Sequence, residues 1–263
     1  MKEYVYRDVL NDDFAGNNIK SRPLPDDYRY LPKTPLRRGW DFFLHHFLVT
    51  PLVFLFQKIV FHEHIVNRKV LRPYLKTGFY LYGNHTRSAG DAFTPHLVSF
   101  PRKAYILVNS DAVAIPVLRD VVASLGGVPL PDSRRNYRSF RDALKKISEN
   151  GCVCIYPEAH IWPYYTDIRP FRDGSFHYPA EYNKPVFCFT VTYKKRRFLR
   201  FPCTVVYVDG PFFPDPSLDV RQNRKLLRNR VYETMKMRSA ESDYAHCRYI
   251  DRTEEPEEEK TGS

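Results

Sequence analysis

Along most of the chain the hydrophobic positions fall in short unbroken runs rather than in alternation with polar ones. Gly78–Tyr82 (GFYLY), Ala104–Asn109 (AYILVN), Cys152–Tyr156 (CVCIY), Val186–Thr192 (VFCFTVT) and Thr204–Val208 (TVVYV) each read as a strand. A strand that is apolar at consecutive positions has both faces covered, as in a parallel sheet held between helix layers. Between the runs the period changes. Tyr137, Phe140, Leu144 and Ile147 recur at steps of three and four, and Gly151 follows as a helix stop. Residues 219–238 repeat the stepping through Val220, Leu227, Val231 and Met235. Alternating strand and helix predicts an α/β fold with a mostly parallel sheet flanked by helices.

The two ends of the chain depart from this pattern. Residues 1–38 are polar and punctuated by Pro23, Pro25, Pro32 and Pro35, and read as an extended arm. Residues 39–61 (GWDFFLHHFLVTPLVFLFQKIVF) are the most apolar segment. Their longest run free of charged, amide or imidazole side chains is the ten residues from Phe47 to Phe56. Crossing a hydrocarbon core of ~30 Å takes ~20 such residues. The segment therefore predicts a helix lying in a membrane interface or dipping into one leaflet, with a buried core helix as the alternative. The expected organisation is an arm at 1–38, an N-terminal helical membrane-associating motif at 39–76, an α/β domain at 77–240 and an acidic disordered tail at 241–263.

Charge and composition narrow the class. A chain of 263 residues suits one large domain. Its formal charge is +11, yet the last thirteen residues hold six acids and two bases, so the body before Asp251 carries +15. Such a body seeks anions: nucleic acid, anionic lipid headgroups or phosphorylated substrates. The tightest basic run, Lys194 to Arg197, lies between two strands and reads as a hairpin tip on anionic headgroups. A non-catalytic membrane-surface or nucleic-acid-binding module is the competing reading, but nucleic acid is not the expected partner. The surplus of Tyr and Phe, 19 of each, suits a boundary between apolar and wet surroundings. The five Cys are odd in number and form no Cys-x-x-Cys pair, which predicts buried reduced thiols. With no signal-peptide layout at the N-terminus, the expected place is the cytoplasmic face of the cell membrane, peripheral or monotopic.

Candidate chemistry sits where the first strand ends. GFYLY runs into Gly83-Asn84-His85-Thr86-Arg87-Ser88-Ala89-Gly90-Asp91, and ligand groups in open α/β sheets lie just past strand carboxyl ends. An imidazole there can take the proton of an attacking alcohol, and a carboxylate can hold its tautomer and stabilise the imidazolium. Positions six apart lie about 240° apart around a helix, so pairing His85 with Asp91 requires a turn. The plainer reading makes Asp91 a helix N-cap and His85 a polar strand end. His62-Glu63-His64 lacks further ligands at usable spacing, so no metal is expected. Neither a Gly-x-Ser-x-Gly elbow nor a Gly-rich phosphate loop is present.

Four motifs in order give these residues a context. Asn84-His85 with a following Asp resembles the first motif of the glycerolipid acyltransferase family. Gly127-Val128-Pro129-Leu130-Pro131-Asp132 with Arg134 is similar to its second, Val153-Cys154-Ile155-Tyr156-Pro157-Glu158 to its third, and Lys184-Pro185-Val186 to its fourth. The resemblance implies acyl transfer from acyl-CoA or acyl-carrier-protein to the free hydroxyl of a lysophospholipid such as 1-acyl-glycerol-3-phosphate. Glycerol 3-phosphate or another lysolipid is the alternative acceptor. It implies no cofactor, His85 and Asp91 as the catalytic pair, and Asn84, Arg87, Arg134 and Glu158 as substrate-binding residues, with Asn84 also able to order the dyad and Glu158 to shape the site. Three departures stand out. Five residues separate His85 from Asp91 where the family has four, so one must bulge, and Gly90 tolerates such backbone. Pro157-Glu158 continues as Ala159-His160-Ile161 where the family has Gly-Thr-Arg, so an Arg thought to grip the acceptor phosphate is missing. The second-motif Arg is displaced by one position to Arg134. Arg134, Arg135, Arg87 or Arg169 are the cations left to substitute for the missing Arg.

Overall fold

The computed structural model describes residues 1–15, 23–25, 28–31, 34–88, 90–110, 122–123, 125–197 and 201–254. The apolar runs become the strands expected of them. Phe79–Gly83 (β3), Ala104–Val108 (β4), Cys152–Ile155 (β6), Val186–Lys194 (β7) and Cys203–Phe212 (β8) join His64–Val66 (β2) and Gly127–Pro129 (β5) in one sheet ordered β2-β8-β7-β3-β6-β4-β5. Every pairing is parallel except β7 with β8. The α/β class with a mostly parallel sheet is thus what forms.

Both faces of the sheet are covered, which explains the unbroken hydrophobicity. In β3 the side chains of Tyr80 and Tyr82 enter one core, with Phe140, Leu144, Leu227 and Val231, while Phe79 and Leu81 enter the other, with Leu71, Val98 and Val206. The first core is closed by the helices Arg134–Asn150 and Val220–Ser239, the second by the 3-10 turn Arg68–Tyr74 and the short helix Thr94–Ser99. Of the apolar positions expected to face inward, Tyr137 and Val220 are exposed, and Ala143 and Asn223 complete the buried stripes instead. The buried amide of Asn223 is accommodated because it donates to the carbonyls of Asp215 and Leu218. Cys152, Cys154, Cys188 and Cys247 are buried and all five cysteines are unpaired.

The N-terminal apolar segment is longer than the sequence pattern suggests. One helix runs Pro35–Val60, 26 residues or about 39 Å. It starts inside the expected arm, because Thr34 accepts a hydrogen bond from Arg37 N and Pro35 fills the first turn, where no N–H is missed. Residues 44–49 are wound as π turns, and the Thr50 hydroxyl donates to His45 O. By length and composition it can cross a membrane, and 22% of its most apolar stretch is buried. Its inner side is docked on the domain: His46 Nε2 lies 2.7 Å from Pro101 O, and Gln57 Nε2 donates to Gly90 O at 3.1 Å. Leu36, Trp40, Phe47, Leu52, Leu55 and Ile59 are exposed on the outer side.

The chain ends also depart from the reading of them as an arm and a tail. Lys2–Tyr6 (β1) pairs in parallel with Cys247–Asp251 (β9), forming a separate two-stranded ribbon. Each strand alone is too polar to announce itself. They form because Tyr4, Tyr6 and Tyr249 pack on Trp162 and Phe14 rather than on the main sheet.

Candidate active site

The site is built at the end of β3, the strand between β7 and β6 and so deep within the sheet. Asn84 is its first residue. Its amide donates to Val191 O at 3.1 Å and accepts from Val191 N at 2.8 Å, extending the ladder to β7 through a side chain. Backbone pairing ends there, and residue 85 turns out of the sheet.

His85 and Asp91 meet. Imidazole Nδ1 lies 2.9 Å from Asp91 Oδ2, and the same oxygen accepts from Thr86 N at 2.8 Å and Arg87 N at 2.9 Å. The carboxylate is thus seated on two backbone donors and offers its remaining capacity to the ring. The bulge needed by the five-residue spacing lies at 87–91, where Asp91 N donates to Arg87 O; Ala89 falls outside the described residues. Gly90 is required there for space rather than for an unusual backbone. A Cβ at Gly90 would come within 2.8 Å of the Arg87 guanidinium carbon.

Beneath the ring lies a sealed charge network. Arg87 is 2% exposed. It donates to Glu63 Oε2 at 2.9 Å, lies 3.4 Å from Asp91 Oδ1, and meets the Thr94 hydroxyl, which itself donates to Glu63. Burial alone would lower the pKa of this guanidinium, but the Glu63 and Asp91 carboxylates more than offset it and hold the group charged. Gln57, from the apolar helix, donates to Thr94 Oγ1 at 2.8 Å. Above the network, Tyr156 stacks on the His85 ring, with centroids 4.4 Å apart and planes at 17°. Its hydroxyl donates to Asp91 O, and burial keeps that phenol protonated.

Glu158 acts on the backbone of the same residue. Its Oε2 accepts from His85 N and its Oε1 from Arg169 N, each at 3.0 Å. Burial pushes its carboxyl up, and Arg169 with the two N–H donors offsets this only in part. Arg169 in turn is spent on its own loop, donating to the carbonyls of Glu158 and His160 and lying over Trp162.

Of the residues marked as substrate-binding, Asn84, Arg87 and Glu158 are therefore enclosed, at 1%, 2% and 4% exposure, and hold the site together instead of facing a ligand. Arg134 is exposed at the start of its helix, after the N-cap Ser133 and beyond β5. Ladder spacing puts the β5 end about 14 Å from β3. Sequence reasoning missed Tyr156, Glu63, Gln57 and Thr94. In the sequence Glu63 stands out only beside its flanking imidazoles, and the structure turns it inward while His62 and His64 are exposed. Among the described residues no group of His, Cys, Asp and Glu could hold a metal ion.

The carboxylate-seated imidazole stands at the end of a central strand, and the chain belongs to the acyltransferase family, whose model matches residues 43–193. That span covers the apolar helix from Phe43 and every site residue above. Among solved structures the chain is similar to the 1-acyl-sn-glycerophosphate (LPA) acyltransferase PlsC from Thermotoga maritima. The TM-score is 0.52 and the identity 14%, covering 78% of this chain and 89% of that one, so the likeness is one of fold. No curated protein matches.

Proposed function

We propose that this acyltransferase moves a fatty acyl group from a thioester, acyl-CoA or acyl-carrier-protein, to the free hydroxyl of a lysophospholipid, 1-acyl-glycerol-3-phosphate being the first acceptor to test. The observation that carries the reading is the 2.9 Å contact between His85 Nδ1 and Asp91 Oδ2, with that oxygen already seated on two N–H groups. Nδ1–H donates to the carboxylate, so the lone pair is at Nε2. As the acceptor oxygen attacks the thioester carbon, its proton passes to Nε2. The tetrahedral adduct then expels the thiolate, which takes that proton back. Base catalysis of this kind contributes roughly 10²–10⁴-fold.

Two features support a lipid setting. A helix docked on the domain at both His46 and Gln57 lies along a bilayer rather than through it, offering its outer apolar side. A cavity of about 500 Å³ between that helix and the domain is lined by Thr50, Phe54, Ile65, Leu97 and Phe100, with Gln57 and Glu63 among its walls. It offers an acyl chain an apolar slot beside the charge network. The enclosure of Arg87 and Arg169 favours, as a second reading, an acceptor gripped differently from lysophosphatidic acid. His85→Ala, assayed for thiol release from long-chain acyl-CoA with a panel of lysolipids, tests the base. Turnover within about tenfold of wild type would remove it.

A further inference from the structure

No ladder hydrogen bond of β3 reaches residue 85, so something else must fix the backbone that carries the imidazole. Two bonds do so. Glu158 accepts from His85 N, and Trp162 N donates to His85 O at 3.1 Å, with Tyr164 N donating to Thr86 O at 2.9 Å beside it. Both donors belong to the loop after β6, which has no regular secondary structure between Tyr156 and Asp173. Arg169 ties Glu158 and His160 from within the loop, and the stretch from Ile161 to Pro163 is held from outside as well.

The outside elements are the two ends of the chain. From the N-terminal side, Asp12 O accepts from Trp162 Nε1 at 2.8 Å, Asp13 Oδ1 accepts from Ile161 N, and Phe14 N donates to Ile161 O. From the C-terminal side, the Tyr249 ring stacks on Trp162 at 5.0 Å and 3°, and its hydroxyl donates to Pro163 O at 2.8 Å. Tyr6 and Phe14 pack on the same indole at 4.6 and 5.3 Å. Trp162 is fully enclosed as a result. A lone two-stranded ribbon is marginal in water, so β1 and β9 depend on their packing against Trp162 and the loop.

We propose that β1, β9 and residues 12–14 form a clasp that positions His85 through the loop 158–164, with Trp162 and Tyr249 as positioning residues. The proposal rests on the reading of His85 as the base. Loosening the clasp leaves the His85–Asp91 pair chemically intact and shifts its backbone, and a misplacement of about 1 Å costs roughly 10²-fold in rate. Substrate-holding surfaces elsewhere are untouched, so the loss falls on kcat.

The test uses the full chain with Tyr249→Ala and Tyr249→Phe. Tyr249 is only half-buried, so the main sheet is spared. Expected are a kcat reduced about 10–100-fold in Tyr249→Ala, KM for donor and acceptor within about threefold, and recovery of most of the rate in Tyr249→Phe, which keeps the stacked ring. In parallel, histidine-selective ¹⁵N labelling follows the His85 ring, assigned by its absence in His85→Gln. Its resonance should move in Tyr249→Ala and return in Tyr249→Phe. An unmoved resonance with unchanged kcat, or a loss carried wholly by KM, overturns the clasp. Should Tyr249→Ala unfold, Trp162→Phe, which keeps a ring but loses the bond to Asp12, is read by the same two quantities, and an unmoved ring there overturns it equally. If the wild-type protein releases no thiol with any acceptor, the functional reading fails, while the ring resonance still decides on the clasp.

Discussion

Asp91→Asn isolates the carboxylate from its geometry. The amide has nearly the same shape, and its oxygen can stay on Thr86 N and Arg87 N at 2.8 and 2.9 Å. The same oxygen still accepts from His85 Nδ1, and the NH₂ group takes the place of Oδ1, 3.4 Å from Arg87 Nε. The tautomer is kept, but the imidazolium loses its counter-charge. The lost charge is expected to cost about 3–4 kcal/mol of transition-state stabilisation, a fall of about 10²–10³ in kcat. Arg87 keeps Glu63 at 2.9 Å, so its charge stays compensated and stability should drop by only about 1–3 kcal/mol. The assay is thiol release at saturating donor and acceptor in mixed micelles, beside a urea melt. A variant within tenfold of wild-type kcat, folded and with the Asn side chain in place, would refute the assignment of Asp91 as the counter-charge.

Three further outcomes rest on the same packing and charge arguments. Ala159 sits at φ 64°, the left-handed region that costs an alanine about 1 kcal/mol or more, so Ala159→Gly should hold or raise the urea midpoint; a clear fall would mean that no strain is stored there. Burial, aided by Lys103 and the neighbouring imidazoles, pushes His45 down to about 4 and His96 to about 3, against an ordinary 6.5. Because the unfolded chain binds those protons first, stability is complete above pH 6.5 and is lost as pH falls through 6.5 toward 4, by up to about 3 kcal/mol for each ring; urea midpoints equal at pH 7 and pH 5 would contradict this. Replacing exposed Phe47 and Leu55 by Asp should weaken co-sedimentation with phosphatidylglycerol vesicles at least tenfold per site while leaving the fold intact; unchanged binding would show that another surface holds the membrane.

The sheet was legible because burial on both faces writes itself as unbroken apolar runs, and each of the five runs became a strand. What stayed hidden has a common cause. β1 and β9 are half-polar strands whose apolar side faces Trp162, across about 160 residues and about 90 residues of sequence respectively, and no local pattern records a partner so distant. The full length of the apolar helix was missed because interruptions such as His45 and Gln57 count against a span by composition, yet they face inward and are buried. The pair His85 and Asp91 was legible from order and spacing, and Gly90 marked the right place for a different reason, close approach instead of backbone freedom. The roles of Arg87 and Glu158 were not, because sequence alone does not say whether a charge beside a site points to a ligand or to another charge.

Physics decides that last question in a particular direction. A charge under a central strand cannot be left unpaired, since desolvation would cost several kcal/mol. Arg87 is therefore matched with Glu63 and Asp91, and the trio carries one net negative charge while His85 is neutral. That residual charge is unbalanced in the resting site and balanced when the ring takes a proton. The network is fixed beforehand by Thr94, Gln57 and the backbone of residues 86 and 87, so no reorganisation is needed as the proton arrives. A guanidinium placed to grip a phosphate would have to leave this arrangement and strand two buried carboxylates. Its enclosure thus keeps Arg87 on the two carboxylates, and the proposed function places an acceptor phosphate on groups nearer the surface.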